Sequence, residues 1–195
     1  MTHPNFIVGI GGSAGGLAAF KDLLEALSPR TGMAFVIVAH LLPSASSAMA
    51  QILARHTKMK VMVARTETTI RRNHVYVIPP DADLLIEGVT LKVRVPRSGR
   101  NKQIDLFFGS LAESMGARSI GVVLSGYDGD GTEGCKQIKE RGGTTFSQDD
   151  SAEVTDMARH AEASGSIDFV LSPAKIADEL QRMAKAAGRP EEVPT

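Results

Sequence analysis

The chain has 195 residues, 43% of them hydrophobic, which is enough to bury the core of one α/β domain. Its 22 basic and 22 acidic residues balance, so no global positive field favours nucleic acid binding. The single cysteine, Cys135, excludes an intrachain disulfide, and no apolar run is long enough to span a membrane.

The first predicted element is an apolar run that breaks into a glycine-rich turn, FIVGIGGSAGG at residues 6–16. Apolar residues then recur at helical spacing, at Leu17, Phe20, Leu23, Leu24 and Leu27. The pattern predicts a strand, a tight turn that carries Ser13, and a helix. Open α/β sheets place their ligands and their chemistry at such a turn.

The turn around Ser13 matches two motifs. Residues 11–15 fit G-x-S-x-G, the nucleophile elbow of serine hydrolases. Residues 9–14 fit G-x-G-x-x-G/A, the fingerprint of dinucleotide-binding proteins. Both motifs direct backbone N–H groups at negative charge, and for the turn alone phosphate binding is the simpler interpretation.

The second predicted strand, AFVIVAH at residues 34–40, is a continuous apolar run of the kind that a parallel sheet buries on both faces. A dinucleotide fold needs Asp or Glu at the end of this strand to bind the ribose hydroxyls. The residue here is His40, and no acidic residue occurs at 41–44. A histidine at a strand end is often structural, but a position beside Ser13 favours a catalytic base.

The middle of the chain carries five predicted elements and one basic loop. The elements are a helix at 46–56, strands at 60–64 and 75–78, a hairpin at 83–95 that turns at Gly88, and a helix at 104–115. The loop at 96–102 is basic. We interpret it as a solvated surface loop in preference to a docking site for an acidic partner.

A third predicted strand, residues 119–125, ends in a loop that contains Asp128 and Asp130 and leads into a helix. The terminal Glu of an EF-hand calcium loop is missing. Both carboxylates could serve as turn or cap residues, an interpretation that is stronger for Asp128 than for Asp130. A carboxylate at this edge would orient His40, so the three strand ends supply Ser13, His40 and Asp130 in the roles of a catalytic triad.

The remaining elements complete a doubly wound α/β fold, with a mainly parallel sheet, helices on both faces and one antiparallel hairpin. Strands are predicted at 143–148 and 167–171, and a last helix is marked by Ile176, Leu180 and Met183. Residues 1–185 are predicted to form one domain, and 186–195 a polar tail or linker. The histidines show no metal-ligand spacing, so we expect no metal and no cofactor.

Five segments together resemble the catalytic domain of the CheB-type methylesterases, from about residue 6 to about 180. They are GGSAGG around Ser13, the strand that ends in His40, VYVIPP at 75–80, IDLFFGSLA at 104–112 and GVVLSGYDGDG at 121–131. The family removes methyl groups from glutamyl methyl esters on bacterial chemoreceptors, and some members deamidate receptor glutamines. The resemblance implies the triad Ser13, His40 and Asp130.

The resemblance also implies a methylated chemoreceptor cytoplasmic domain as the substrate, with other chemosensory signalling proteins as further partners. It implies a cytoplasmic monomer that neither binds nucleic acid nor inserts into a membrane. We expect the oxyanion and the substrate to lie against Gly12, Ala14, Tyr127 and Met157, with the Ala14 N–H as the oxyanion donor.

The chain departs from the family at five positions around the site, and we expect no receiver domain ahead of the catalytic domain. Ala39 stands where Gln is common, Asp156 and Ala158 replace the glycine and proline of a Gly-Met-Pro-Arg segment, and Asp128 replaces a small residue. Tyr127 stands where Met is frequent. Two other functions stay open: a catalytically weak module that binds receptors or sensor kinases, and a nucleotide-binding module.

Overall fold

The structure is a computed structural model that describes residues 3–40 and 46–188. Within these residues, ten strands form two sheets and six α-helices pack around them. The strands are β1 (Ile7–Gly12), β2 (Ala34–Ala39), β3 (Lys60–Val63), β4 (Thr68–Thr69), β5 (His74–Val77), β6 (Asp83–Glu87), β7 (Thr90–Arg94), β8 (Ser119–Val123), β9 (Thr144–Gln148) and β10 (Phe169–Leu171). The helices are α1 (Gly16–Ala26), α2 (Ser46–Leu53), α3 (Gln103–Met115), α4 (Thr132–Glu140), α5 (Asp156–Ala163) and α6 (Pro173–Ala187).

The main sheet has seven parallel strands in the order β10-β9-β8-β1-β2-β5-β3. Strand β1 pairs with β2 on one side and with β8 on the other. The strand order therefore reverses at β1, and the carboxyl ends of β8, β1 and β2 meet at one edge. Such a reversal is where open α/β sheets bind their ligands. The predicted α/β fold is confirmed.

The helices form one layer on each face of this sheet. Helices α1, α2 and α6 cover one apolar cluster, and α3, α4, α5 and the small sheet cover the other. Every residue of β1 and β2 is buried. This burial on both faces explains why both strands are continuous apolar runs in the sequence.

Glycines in β1 let α3 lie unusually close to the sheet. A Cβ atom at Gly9 would lie 2.8 Å from Cε1 of Phe108, and one at Gly11 would lie 2.5 Å from Cγ2 of Ile104. Only glycine leaves room for these side chains. The glycine-rich strand therefore brings the beginning of α3 to the edge of the sheet where Ser13 follows β1.

The small sheet contains the predicted hairpin and one further strand. Strands β6 and β7 are antiparallel, with Glu87 paired to Thr90, and Gly88 in the turn has φ of +59°. Strand β4 adds to the open edge of β7. A strand of two residues is too short to show a periodicity in the sequence.

The basic loop at 96–102 is anchored to the hairpin through Asp83. The buried Asp83 carboxylate accepts hydrogen bonds from the Ser98 N–H at 2.8 Å and from the Gln103 side-chain amide at 3.1 Å. Burial acts to raise the pKa of Asp83, but the hydrogen bonds from Ser98 and Gln103 outweigh it, and the pKa lies below its ordinary value. The Asp83 carboxylate thus holds the loop at Ser98 and at Gln103, the residue that follows it.

Several boundaries differ from the predicted ones. Helix α2 ends at Leu53, and residues 54–56 continue as a turn. Helix α5 was not predicted. Helix α6 continues to Ala187, so the predicted tail at 186–195 begins inside a helix, and residues 189–195 lie outside the described part of the chain. In residues 3–40 and 46–188, none of the helices is both long enough and apolar enough to cross a membrane.

Candidate active site

The register of the sheet places Ser13 and His40 side by side at the carboxyl edge. Gly12 pairs with Ala39 in the last position of the β1–β2 ladder, and the His40 N–H donates to the Gly12 carbonyl at 3.3 Å. On the other side, the Ser13 N–H donates to the carbonyl of Ser125 at 2.8 Å. Both residues therefore leave the sheet from hydrogen-bonded neighbouring positions.

A buried hydrogen bond joins His40 to Asp130. Nε2 of His40 lies 2.6 Å from Oδ2 of Asp130. The Asp130 side chain is fully buried, and only 9% of the His40 side chain is exposed. The pair has the geometry of the base and the orienting acid of a triad, in which the carboxylate selects the tautomer and the direction of the imidazole.

Helix α3 holds Asp130 in place. The Asp130 carboxylate accepts hydrogen bonds from the N–H of Ile104 at 3.0 Å and from that of Asp105 at 2.9 Å, both in the first turn of α3. In return, Oδ1 of Asp105 accepts from the N–H groups of Gly131 and Gly134, at the beginning of α4. Each aspartate thus satisfies the free N–H groups of the other's helix.

Asp105 is a supporting residue that the sequence pattern did not indicate. Burial raises the pKa of Asp105, and the charge of Asp130 acts in the same direction, although the bonds from Gly134 and Gly131 oppose it. An aspartate in the first turn of a predicted helix is a common sequence feature. Only the packing of α3 against α4 makes this one bind the start of a different helix.

Asp128 forms the turn that was predicted for it and also faces His40. Oδ1 of Asp128 accepts a hydrogen bond from the Asp130 N–H at 3.1 Å. Its Oδ2 lies 3.5 Å from Nδ1 of His40. That nitrogen is buried and has no hydrogen-bond partner among the described residues. Since Nε2 is taken by Asp130, Nδ1 is the ring atom left for proton transfer.

Ser125 forms hydrogen bonds to the turn after Ser13, to the end of β9 and to the segment before α5. The sequence pattern did not indicate this residue either. Its hydroxyl donates to the Ala14 carbonyl at 2.7 Å and accepts from the Val154 N–H at 3.0 Å. Its own N–H donates to the side chain of Gln148 at 3.1 Å. A polar residue that ends a buried strand was the one signal that could have pointed to it.

The turn after Ser13 presents backbone N–H groups at the start of α1. Gly15 precedes the helix with φ of +73°, and a Cβ atom there would lie 2.6 Å from Oγ of Ser125. No residue in the described ranges accepts a hydrogen bond from the Ala14 N–H. This N–H is available to stabilise an oxyanion beside Ser13.

The other residues predicted for substrate binding lie in different surroundings. Gly12 is the last residue of β1, and Tyr127 is 67% exposed. Met157 is completely buried, and its N–H donates to the Gly126 carbonyl at 2.9 Å. A Cβ atom at Gly126 would lie 2.6 Å from Cε of Met157 and 3.1 Å from Cβ of Ser13. Met157 therefore supports the Gly126 backbone from beneath.

Neither a metal centre nor a thiol nucleophile belongs to this arrangement as far as it is described. Residues 3–40 and 46–188 contain no group of three His, Cys, Asp or Glu side chains that could hold a metal ion. Cys135 is buried in α4, and burial raises the pKa of its thiol well above the ordinary value. Its role is packing.

Comparisons with known proteins cover nearly the whole chain. Residues 8–180 match the family model described as CheB methylesterase. A putative protein-glutamate methylesterase/protein-glutamine glutaminase of Leptospira interrogans is 37% identical over 189 residues, which are 94% of this chain and 96% of that protein. The catalytic domain of the Thermotoga maritima CheB methylesterase has the same fold, with a TM-score of 0.84 and 25% sequence identity over 91% of this chain and 98% of that one.

Other relatives are about twice as long. The protein-glutamate methylesterase/protein-glutamine glutaminase of Hydrogenovibrio crunogenus is 31% identical over 186 residues, which are 92% of this chain but 49% of that protein. The family model, the fold and the arrangement of Ser13, His40 and Asp130 point to the same conclusion. The chain belongs to the CheB methylesterase family.

Proposed function

We propose that this chain is a serine esterase that hydrolyses glutamyl methyl esters on the signalling domains of chemoreceptors, producing glutamate and methanol. The observation that carries the proposal is the buried His40–Asp130 pair beside Ser13. The printed functions of the Leptospira and Hydrogenovibrio relatives support the same reaction.

In the proposed reaction, Oγ of Ser13 attacks the ester carbonyl while Nδ1 of His40 takes its proton. The tetrahedral intermediate collapses, the acyl–serine bond remains, and His40 gives the proton to the departing methanol. Water then attacks the acyl–serine carbonyl while His40 takes its proton. His40 returns that proton to Oγ of Ser13 as the serine–acyl bond breaks and the glutamate side chain is released. Asp130 keeps the Nε2 proton of His40 in a hydrogen bond, so the lone pair stays at Nδ1.

The negative charge of the intermediate is proposed to lie against the Ala14 N–H, next to Gly12. Buried Met157 would act indirectly, by supporting Gly126 beside Ser13, and exposed Tyr127 would contact the receptor. Acyl transfer of this kind requires neither a metal nor a cofactor. A receptor glutamine would follow the same steps with ammonia as the leaving group, which would give the second activity named for the relatives.

We further propose that the protein acts in the cytoplasm, because the methylated part of its substrate is the receptor's cytoplasmic domain. We also propose that it acts as a monomer. Other chemosensory signalling proteins are its expected further partners. The balance of 22 basic and 22 acidic residues gives no support for nucleic acid as a partner.

The test follows methanol release from a methylated receptor signalling domain with the purified chain and with Ser13→Ala. We expect the variant to lose nearly all activity, since removal of the nucleophile leaves only binding and the oxyanion donor. Ser28→Ala is the matched control, because the Ser28 hydroxyl accepts only a local bond from the Arg30 N–H. A fluorophosphonate probe should label the unmodified chain and the control but not Ser13→Ala.

Activity of Ser13→Ala within about tenfold of the original chain would assign the chemistry to another residue. Receptor binding without methanol release, together with an inert serine, would instead identify a binding module. Tight nucleotide binding with an inert serine would return the glycine-rich turn to its phosphate-binding interpretation.

A further inference from the structure

A cavity of about 700 Å³ lies at the far edge of the main sheet, between β3 and β4. Residues 64–73 connect β3 to its parallel neighbour β5, and their only regular element is the two-residue strand β4. Parallel strands are usually joined by a helix that covers the sheet. Here α2 packs against the opposite face of the sheet. On the face where α3 packs elsewhere, β3 and β5 lie under the connecting segment instead.

The floor of the cavity is a ladder of paired side chains on one sheet face. The register pairs Lys60 with His74 and Met62 with Tyr76, and all four line the cavity. The rings of His74 and Tyr76 are nearly parallel, with an interplanar angle of 19° and centroids 6.2 Å apart. The floor therefore combines an aromatic surface with a cation at its end.

The charges that line the cavity are mostly positive and uncompensated. Lys60, Arg65 and Arg71 line it, and none of them forms an ion pair with another residue of the described ranges. Glu67 is the one carboxylate among the lining residues that are described, and it is already paired with Lys92 at 2.6 Å. A negatively charged ligand would meet little competition there.

A buried hydroxyl adds a second, independent feature. Tyr76 is 1% exposed, and its oxygen accepts a hydrogen bond from the Arg71 N–H at 2.9 Å. Its own O–H has no acceptor among the described residues, and burial raises the pKa of Tyr76, which keeps that proton in place. The hydroxyls of Thr68 and Thr69 also line the cavity.

We propose that this cavity binds a small molecule that carries a phosphate group. Its volume lies within the range of roughly 300–1,000 Å³ that is usual for small-molecule sites. A phosphate group has three strong acceptor oxygens and nearly two negative charges, which match guanidinium, ammonium and hydroxyl donors together. The site is separate from Ser13 and does not depend on the proposed esterase activity.

The experiment titrates the full chain with inorganic pyrophosphate, and separately with ADP, without added metal, while NMR follows the histidine ring signals. We expect saturable shifts of His74, which lines the cavity, with a dissociation constant below about 1 mM. The signals of His160, on α5, should stay in place.

Arg71→Gln and Lys60→Gln should each weaken binding at least about tenfold, the loss of one charge-assisted contact. The matched control is Arg182→Gln on α6, where the guanidinium is paired with Glu179 and does not line the cavity. Thermal unfolding of each variant checks that the fold is retained.

The absence of a saturable His74 shift at millimolar pyrophosphate and ADP would overturn the proposal. Equal affinity in Arg71→Gln and in the control would overturn it as well, because the anion would then bind elsewhere. Binding of a glutamate-rich peptide at His74 without binding of either phosphate probe would also overturn it, and would assign the cavity to an acidic protein partner.

Discussion

At the scale of single residues, the two ring nitrogens of His40 face different carboxylates. Asp130 is buried and bonded to Nε2 at 2.6 Å, whereas Asp128 is 31% exposed and lies 3.5 Å from Nδ1. The short bond inside the protein sets the tautomer and the direction of the ring. The longer, partly hydrated contact contributes less, because solvent screens it.

The first prediction compares Asp130→Asn with Asp128→Asn. An amide at 130 allows the wrong tautomer of His40, so kcat for methanol release should fall by several orders of magnitude, roughly 10⁴-fold in the best-studied triad. At 128, a partly exposed carboxylate 3.5 Å from Nδ1 contributes about 1 kcal/mol or less, which corresponds to roughly fivefold in rate. Initial rates with a methylated receptor domain measure both values, and circular dichroism checks folding.

The reverse order of sensitivity, with Asp128 essential and Asp130 dispensable, would move the triad acid by two residues. It would also leave the two hydrogen bonds from α3 to Asp130 as purely structural contacts.

At the scale of elements, the site depends on how closely α3 approaches β1. The glycines of β1 admit Ile104 and Phe108 against the strand, and the same approach puts the first turn of α3 within hydrogen-bond distance of Asp130. The position of Asp130 is therefore a consequence of helix–sheet packing.

The second prediction is that Gly11→Ala destabilises the protein by about 1–3 kcal/mol, the usual cost of overpacking a core. The new methyl group would lie 2.5 Å from Cγ2 of Ile104, so the Ile104 side chain or α3 itself must shift. Gly99→Ala is the control, since a Cβ atom there meets nothing within 4 Å. Urea unfolding measures both variants. A loss for Gly11→Ala no larger than for Gly99→Ala would contradict the close approach.

The third prediction concerns the loop anchored by Asp83. Its pKa lies below the ordinary value, so its contribution to stability is complete above about pH 4 and is lost as the pH falls through the lowered pKa. Asp83→Asn should cost roughly 1–3 kcal/mol at neutral pH, because an amide group faces two N–H donors. Urea unfolding should give a difference between the two proteins that shrinks below pH 4, and a constant difference would contradict the assignment.

At the scale of the whole molecule, the two apolar clusters share the strands of one sheet. Residues of β1 alternate between them, with Val8 and Ile10 in one cluster and Ile7 in the other. Loss of either face therefore exposes strands that the other face also requires. We expect the domain to unfold as a single unit.

The fourth prediction uses Cys135 as a probe of this cooperativity. The thiol is completely buried in the α3 face of the core, and burial raises its pKa, so thiol reagents should react only after unfolding. Pulse labelling at increasing urea should give the same midpoint as far-UV circular dichroism. Labelling at lower urea than the loss of helix signal would indicate that α4 and α3 open separately.

Much of this protein follows from the sequence by itself. Continuous apolar runs indicate the parallel strands, helical spacing indicates α1, α3 and α6, and Ser13 and His40 stand out because each directly follows such a strand. These features are local, since chain periodicity and residue type determine them within a few positions. The sequence also predicted Asp130 as the acid of the site and Asp128 as a residue of the turn.

Only the tertiary structure decided which contacts these residues make. The bond from Asp130 to Nε2 of His40 spans 90 positions of the chain, and the bond from Ser125 to Ala14 spans 111. Asp130 accepts a hydrogen bond from the beginning of α3, and Asp105 accepts one from the beginning of α4, because the two helices pack against each other. No local pattern encodes such pairs, because they arise from the order of the strands and from the space that the glycines of β1 leave for α3.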